Sequence, residues 1–193
     1  MVKICETTYK NENTYGKTYE NIFNVYPFEL DHFQKYAIQG IEEEKHILIT
    51  AATGSGKTLP SEYAIQKFCE NGKKVIYTAP IKSLSNQKYY EFSQKFPHIS
   101  FGILTGDVKF NPEADCLIMT TEILRNTLFQ KEAIDKEKKN KKYTDDDDEV
   151  IENYNLHFDM DIQNELACVI FDEVHYINDA DRGKVWEETI MKM

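Results

Sequence analysis

Ala51-Ala52-Thr53-Gly54-Ser55-Gly56-Lys57-Thr58 lies between a short apolar run, His46–Thr50, and a stretch with helical periodicity, Thr58–Asn71. Gly54 and Gly56 allow backbone conformations that other residues resist, so consecutive N–H groups can turn toward one point. The helix that follows contributes the partial positive charge of its unpaired N–H groups. Strand, glycine-rich turn and helix start together make a cradle for phosphate oxygens, with Thr53, Gly54, Ser55, Gly56, Lys57 and Thr58 as the candidate ligand-binding set. Lys57 is expected to reach the β- and γ-phosphates, and the Thr58 hydroxyl to ligate Mg²⁺. Pro60 falls near the first turn of the helix, where a missing N–H costs little.

About 115 residues further on, Val169-Ile170-Phe171-Asp172-Glu173-Val174-His175 is an apolar run ending in two carboxylates. Asp172 is placed to hold Mg²⁺ at a strand tip, and Glu173 to orient and deprotonate an attacking water. Upstream of the glycine-rich turn stands Tyr26-Pro27-Phe28-Glu29-Leu30-Asp31-His32-Phe33-Gln34. A Gln amide both donates and accepts, which suits the N6 and N7 edge of adenine, and Phe28 could pack on the ring. ATP with Mg²⁺ is therefore the expected cofactor pair.

The rest of the chain supplies the frame. Phe33, Ala37 and Ile41 recur at fours and predict an amphipathic helix from Asp31. Five short apolar runs, His46–Thr50, Lys74–Ala79, Ser100–Thr105, Asp115–Thr120 and Ala167–Asp172, show little polar alternation, as strands buried on both faces do. Helical segments Thr58–Asn71, Lys82–Phe96 and Gly183–Met193 alternate with them, and Asn71-Gly72 reads as a left-handed helix cap. The expected class is α/β, a parallel sheet flanked by helices. Residues 1–25 read as a polar, loosely ordered lead-in, leaving 26–193 as the folded part.

The chain has 193 residues and a formal charge of −10, with 41% hydrophobic residues. That excludes a disordered chain and a basic protein that coats nucleic acid. The acidity is local: Lys131–Glu165 holds six Lys against twelve Asp and Glu. Lys136–Lys142 and Asp145–Glu149 are charge blocks, and about 131–164 is expected to be a disordered insertion. Cys5, Cys69, Cys116 and Cys168 lack CxxC spacing and read as free thiols. No apolar run is long enough to cross a membrane, and the N-terminus lacks a signal core, so the expected setting is soluble and intracellular, in cytoplasm or nucleus, or in a virion for a viral chain.

Three further segments follow predicted strands: Ala79–Gln87, Thr105–Val108 and Thr120–Asn126. Ligands bind open α/β sheets at that edge. Hydroxyls, amides, helix-start N–H groups and Arg125 suit a sugar–phosphate backbone, although helix caps and turns account for each segment taken alone.

Taken in order, these residues resemble the first RecA-like domain of superfamily 2 DExH-box helicases, and within them the superkiller-type and exosome-associated RNA helicases. The resemblance rests on YPFELDHFQKYAI, VIYTAPIKSLSNQKYYEF, GILTGDVKFNPEADCLIMTTEILRN and VIFDEVHYINDADRGKVWEETI, and spans about 135 of the 193 residues. It implies that Phe28 and Gln34 serve adenine, that Asp172 and Glu173 serve metal and water, and that His175 couples nucleotide state to RNA. It also implies that Pro80, Lys82, Asn86, Thr105, Gly106, Thr121 and Arg125 lie along a single RNA strand. The activity implied is ATP-dependent, 3′-to-5′ RNA unwinding in RNA processing or decay, beside an exonuclease or exosome-type complex.

The loop reads AATGSGKT, where that subgroup usually has a His-Thr-Ser-Ala form. In the family a further strand, carrying a Ser-Ala-Thr motif, follows the DEVH helix and inserts between the loop strand and the acidic strand. That strand and a second RecA-like domain are expected to lie outside this chain, leaving it catalytically incomplete. A DNA helicase of the same superfamily and a non-catalytic binding module are the alternative readings.

Overall fold

Val75, Ile76, Tyr77, Thr78 and Ala79 are at most 1% exposed, as are Cys116, Leu117, Ile118 and Met119. Strands so enclosed lie in the middle of a layered fold. The computed structural model describes residues 4–10, 18–141, 158 and 160–193. It divides into two compact units, 1–67 and 68–193.

The larger unit holds a five-stranded sheet. Its strands are β1 (Lys74–Ala79), β2 (Phe101–Leu104), β3 (Lys109–Phe110), β4 (Cys116–Thr120) and β5 (Leu166–Phe171), in the order β3-β2-β4-β1-β5. All neighbours are parallel except β3, a two-residue antiparallel return on β2 that the apolar pattern does not announce. The register sets Ala79 beside Thr120, Leu104 beside Met119, and Thr78 beside Phe171. Four strands therefore end at one edge of the sheet. Helices α4 (Lys82–Lys95), α5 (Thr121–Lys141) and α6 (Gly183–Lys192) follow β1, β4 and β5.

The expectation of a disordered insertion at about 131–164 needs correction at both ends. Lys131–Lys141 are not part of a disordered segment, because they extend α5. Phe158 and Met160 are each 1% exposed and pack with Ile76, Leu117, Met119, Leu124 and Leu128. Apolar burial wins over the polar setting of these two residues, since each large side chain contributes roughly 1.5–3 kcal/mol when enclosed. The charge block 142–150 lies outside the described residues.

The smaller unit contains α1 (Glu20–Phe23), α2 (His32–Glu42) and most of α3 (Thr58–Glu70). The lead-in is not wholly loose. Tyr19 and Phe23 are buried with Leu30 and Ile38, and Tyr9 packs edge-on against Phe23. Asp31 and Gln34 close a capping box at the start of α2. Its end is a Schellman turn, with Glu44 at φ 53° where glycine is usual, and Lys45 N–H donating to the Gly40 carbonyl at 2.9 Å. The Asn71-Gly72 cap is found as expected, with Gly72 at φ 71°.

His46–Thr50 is not a strand. A strand needs a ladder, and no strand among the described residues pairs with it, so its backbone stays irregular and Leu48 is 73% exposed.

Candidate functional site

The glycine-rich turn belongs to the smaller unit. Gly54 and Gly56 take φ of 81° and 82°, which side-chain-bearing residues resist. Ser55 folds back on the loop, its hydroxyl donating to the Ala52 carbonyl at 2.7 Å. Thr58 opens α3, and Leu59 N–H donates to the Gly56 carbonyl at 3.2 Å. A Cβ at Gly54 would meet nothing within 4 Å, so the loop is open there. The Lys57 ammonium has no hydrogen bond or ion pair among the described residues. An open turn of N–H groups with an unengaged ammonium fits a phosphate chain.

Gln34 reaches this loop from α2. Its Oε1 accepts from Asp31 N–H at 2.9 Å and its Nε2 donates to the Gly56 carbonyl at 3.1 Å. Only 6% exposed, it braces the turn, and these two bonds leave one N–H and one lone pair of its amide unused. The contact is tight: a Cβ on Gly56 would sit 2.7 Å from Gln34 Nε2. Phe28 is 53% exposed and lies with Tyr26, Pro27 and Lys35 around an open cavity of about 480 Å³.

In the larger unit, Asp172 continues β5 by one ladder bond, its N–H donating to the Thr78 carbonyl at 3.0 Å. Its carboxylate is held on both oxygens: Oδ2 accepts from the Tyr77 hydroxyl at 2.6 Å, and Oδ1 from Glu173 N–H at 3.0 Å. Burial, reinforced by the Asp172 charge, pushes the Tyr77 hydroxyl far above its ordinary value, so it stays a donor. Glu173 adopts a left-handed conformation, φ 54° and ψ 43°, which turns the chain sharply into the 3₁₀ segment Val174–Asn178. Such strain in a non-glycine residue is concentrated at working sites. His175 Nδ1 lies 3.1 Å from Glu173 Oε2.

The strand-end residues share this edge, but not all face outward. Asn86, Gly106 and Lys82 are exposed. Lys82 pairs with Asp107 at 2.9 Å, and Thr105 donates to the same carboxylate at 2.8 Å. The Lys82 ammonium and the Thr105 hydroxyl hold the Asp107 carboxyl below its usual range. Arg125 is paired with Glu188 of α6 and stacks over Phe129 at 4.9 Å. Pro80 is buried, and its carbonyl accepts from Arg182 Nη1 at 3.0 Å. Thr121 is 0% exposed, and its hydroxyl finds no partner among the described residues, so its side chain does not face a strand on the surface.

Tyr77, Asp107 and Arg182 were not among the residues expected at the site. Tyr77 and Arg182 pair with residues 95 and 102 positions away, beyond the reach of local spacing. One signal was present: a Tyr within an aliphatic strand carries a hydroxyl that needs a partner once buried.

A glycine-rich phosphate loop opening a helix, and a parallel strand ending in an acidic pair, are the two marks of a P-loop NTPase. The chain belongs to the DEAD/DEAH box helicase family, which matches residues 31–193. It is 40% identical over 190 residues to the antiviral helicase SKI2 of Saccharomyces cerevisiae, covering 98% of this chain and 12% of that protein. It is 42% identical over 166 residues to the exosome RNA helicase MTR4 of Homo sapiens, covering 86% of this chain and 13% of that one. The ATP-dependent RNA helicase mtr4 of Schizosaccharomyces pombe is 42% identical over 167 residues, again 86% of this chain and 12% of the relative. The chain thus spans about an eighth of the length of these relatives. Among the described residues, no helix is long and apolar enough to cross a membrane.

Proposed function

We propose that this chain is the nucleotide-binding portion of an ATP-dependent RNA helicase that works in RNA processing or decay. One observation carries the reading: the acidic pair Asp172-Glu173 ends β5 at the same sheet edge where β1, β4 and β2 deliver Pro80, Thr121 and Thr105. Nucleotide chemistry and a nucleic-acid track then share strands, so displacement of one is felt by the other. Similarity to relatives named as RNA helicases supports RNA over DNA.

In this reading Thr53 to Thr58 and Lys57 hold the phosphates, Phe28 packs on adenine, and the free N–H of Gln34 meets its edge. Thr58 and Asp172 are the residues that would hold Mg²⁺. When bound, that ion neutralises phosphate charge. Glu173 takes a proton from water onto its carboxylate, and His175, beside that carboxylate, reports its state toward the RNA side. Lys82, Asn86, Gly106 and Arg125 contact RNA phosphates, the two cations by exchanging their internal carboxylates. Thr121 contributes through its helix-start N–H rather than its hydroxyl. An exosome-type nuclease is the proposed partner, on the strength of the human relative's name.

The test is strand separation by the protein at its natural length on matched RNA and DNA duplexes with a single-stranded 3′ tail. ATP-dependent opening of the RNA duplex is expected. Opening of DNA alone, or nucleotide-independent binding with no opening of either, would sink the proposal.

A further inference from the structure

Strand β1 is Lys-Val-Ile-Tyr-Thr-Ala, and its one aromatic residue, Tyr77, is 1% exposed. Its ring packs edge-on against Phe92 of α4, with centroids 5.2 Å apart. Phe would serve that contact equally well, so packing does not explain the hydroxyl. A buried hydroxyl costs free energy unless it is hydrogen-bonded. The β1–β5 register shows where it goes. Tyr77 stands opposite Ile170, and side chains two apart on a strand share a face, so Asp172 lies one step beyond Ile170 on the face of Tyr77. The hydroxyl crosses that diagonal and donates to Asp172 Oδ2 at 2.6 Å.

The opposite oxygen, Oδ1, accepts from Glu173 N–H at 3.0 Å. An ionised carboxylate has about four lone-pair sites, so one bond to each oxygen fixes its plane and leaves capacity on both. Asp172 is thus anchored by its neighbour's backbone on one side and by another strand on the other. β1 continues directly into Pro80, Ile81 and Lys82, the start of the proposed RNA track.

We infer that Tyr77 is a positioning residue for the metal-binding carboxylate, orienting Asp172 through its hydroxyl and tying it to the strand that leads into the RNA track. This rests on the reading of Asp172 as a Mg²⁺ residue. Residues that orient a ligand in this way typically alter metal affinity by 10–100-fold when removed.

Tyr77→Phe removes the hydroxyl and keeps the ring. In the protein at its natural length, affinity for a fluorescent ADP analogue is measured without Mg²⁺ and then across a Mg²⁺ titration, beside wild type and Asp172→Ala. Tyr77→Phe should keep the Mg²⁺-free affinity and need on the order of 10-fold more Mg²⁺ for the half-maximal response. Replacing Tyr77 with 4-aminophenylalanine, which keeps an N–H donor at the ring tip, should restore the wild-type titration. A Tyr77→Phe titration that overlays wild type overturns the inference. So does loss of folding or of Mg²⁺-free affinity in Tyr77→Phe, because either marks a structural role alone. If Asp172→Ala also keeps the wild-type Mg²⁺ response, the metal role of Asp172 falls, and the inference falls with it. If Asp172→Ala loses that response while Tyr77→Phe keeps it, only the inference falls.

Discussion

The phosphate loop and the strand-end edge both present cations, but in different states. Lys57 of the loop has no partner among the described residues, whereas Lys82 pairs with Asp107 and Arg125 with Glu188. A free ammonium beside open N–H groups receives a phosphate without giving anything up. A paired cation must exchange one anion for another, so its net gain is small. Nucleotide binding in this domain should therefore be intrinsically strong at the loop, while RNA contact at the edge should be weak and readily reversed. That asymmetry suits the proposed track, along which a strand would have to move, and the proposal is compatible with a chain charge of −10.

The comparison breaks first on turnover. Lys57→Ala should abolish both nucleotide binding and hydrolysis. Glu173→Gln should retain nucleotide binding while hydrolysis falls by roughly 10²–10⁴-fold, the usual contribution of a general base. Equilibrium binding of a fluorescent nucleotide together with phosphate release separates the two. If Glu173→Gln turns over at the wild-type rate, Glu173 is not the base.

Glycine substitutions sharpen it next. A Cβ on Gly102 of β2 would lie 2.1 Å from the Asn111 carbonyl oxygen, a clash with the backbone just past β3. Gly102→Ala should destabilise the larger unit by about 1–3 kcal/mol, as overpacking does, and lower its melting temperature. Gly56→Ala meets a side chain instead, 2.7 Å from Gln34 Nε2, at φ 82°. Its effect should appear chiefly as lost nucleotide affinity, with a smaller drop in melting temperature than Gly102→Ala gives, since the strain stays within the loop. The reverse pattern would mean that the loop is structural and the sheet edge tolerant. Gln34→Ala comes next in size. Loss of its part of the capping box costs about 1 kcal/mol at α2, and nucleotide affinity falls as Gly56 loses its brace.

Much of this was legible from the sequence, for reasons that differ by region. The loop and the DEVH run are local: spacing alone puts Lys57 at a helix start and Asp172 at a strand end. Helices α2, α3, α4 and α6 were recoverable because their apolar period or their caps lie within a dozen residues. His46–Thr50 misled because an apolar run tells of burial but not of a ladder, and pairing is non-local. Phe158 and Met160 were hidden by the charges around them, since average polarity says little about two anchored side chains. Tyr77 and Arg182 were missed because their partners become neighbours only through the parallel register. The carboxylate partners of the edge cations Lys82 and Arg125 were invisible for the same reason.

The smallest expected effect probes that pairing directly. Asp107→Asn removes the charge that holds Lys82 and leaves the Thr105 contact able to re-form, so RNA affinity should rise, by no more than about fivefold for so exposed a pair. The sign under titration follows from the lowered carboxyl of Asp107. Its pair with Lys82 is fully formed above the ordinary aspartate value of about 3.9 and is lost as the pH falls through the lower folded value. Across neutral pH the pair is therefore constant, and the wild type and Asp107→Asn should differ by the same factor at about pH 6 and pH 8. Added salt should narrow the gap, because the pair lies at the surface. Fluorescence anisotropy of a short single-stranded RNA measures all three dependences. If Asp107→Asn instead weakens RNA binding, Asp107 orders the Thr105 turn for RNA rather than competing for Lys82, and the contrast between a free loop cation and a restrained edge cation fails.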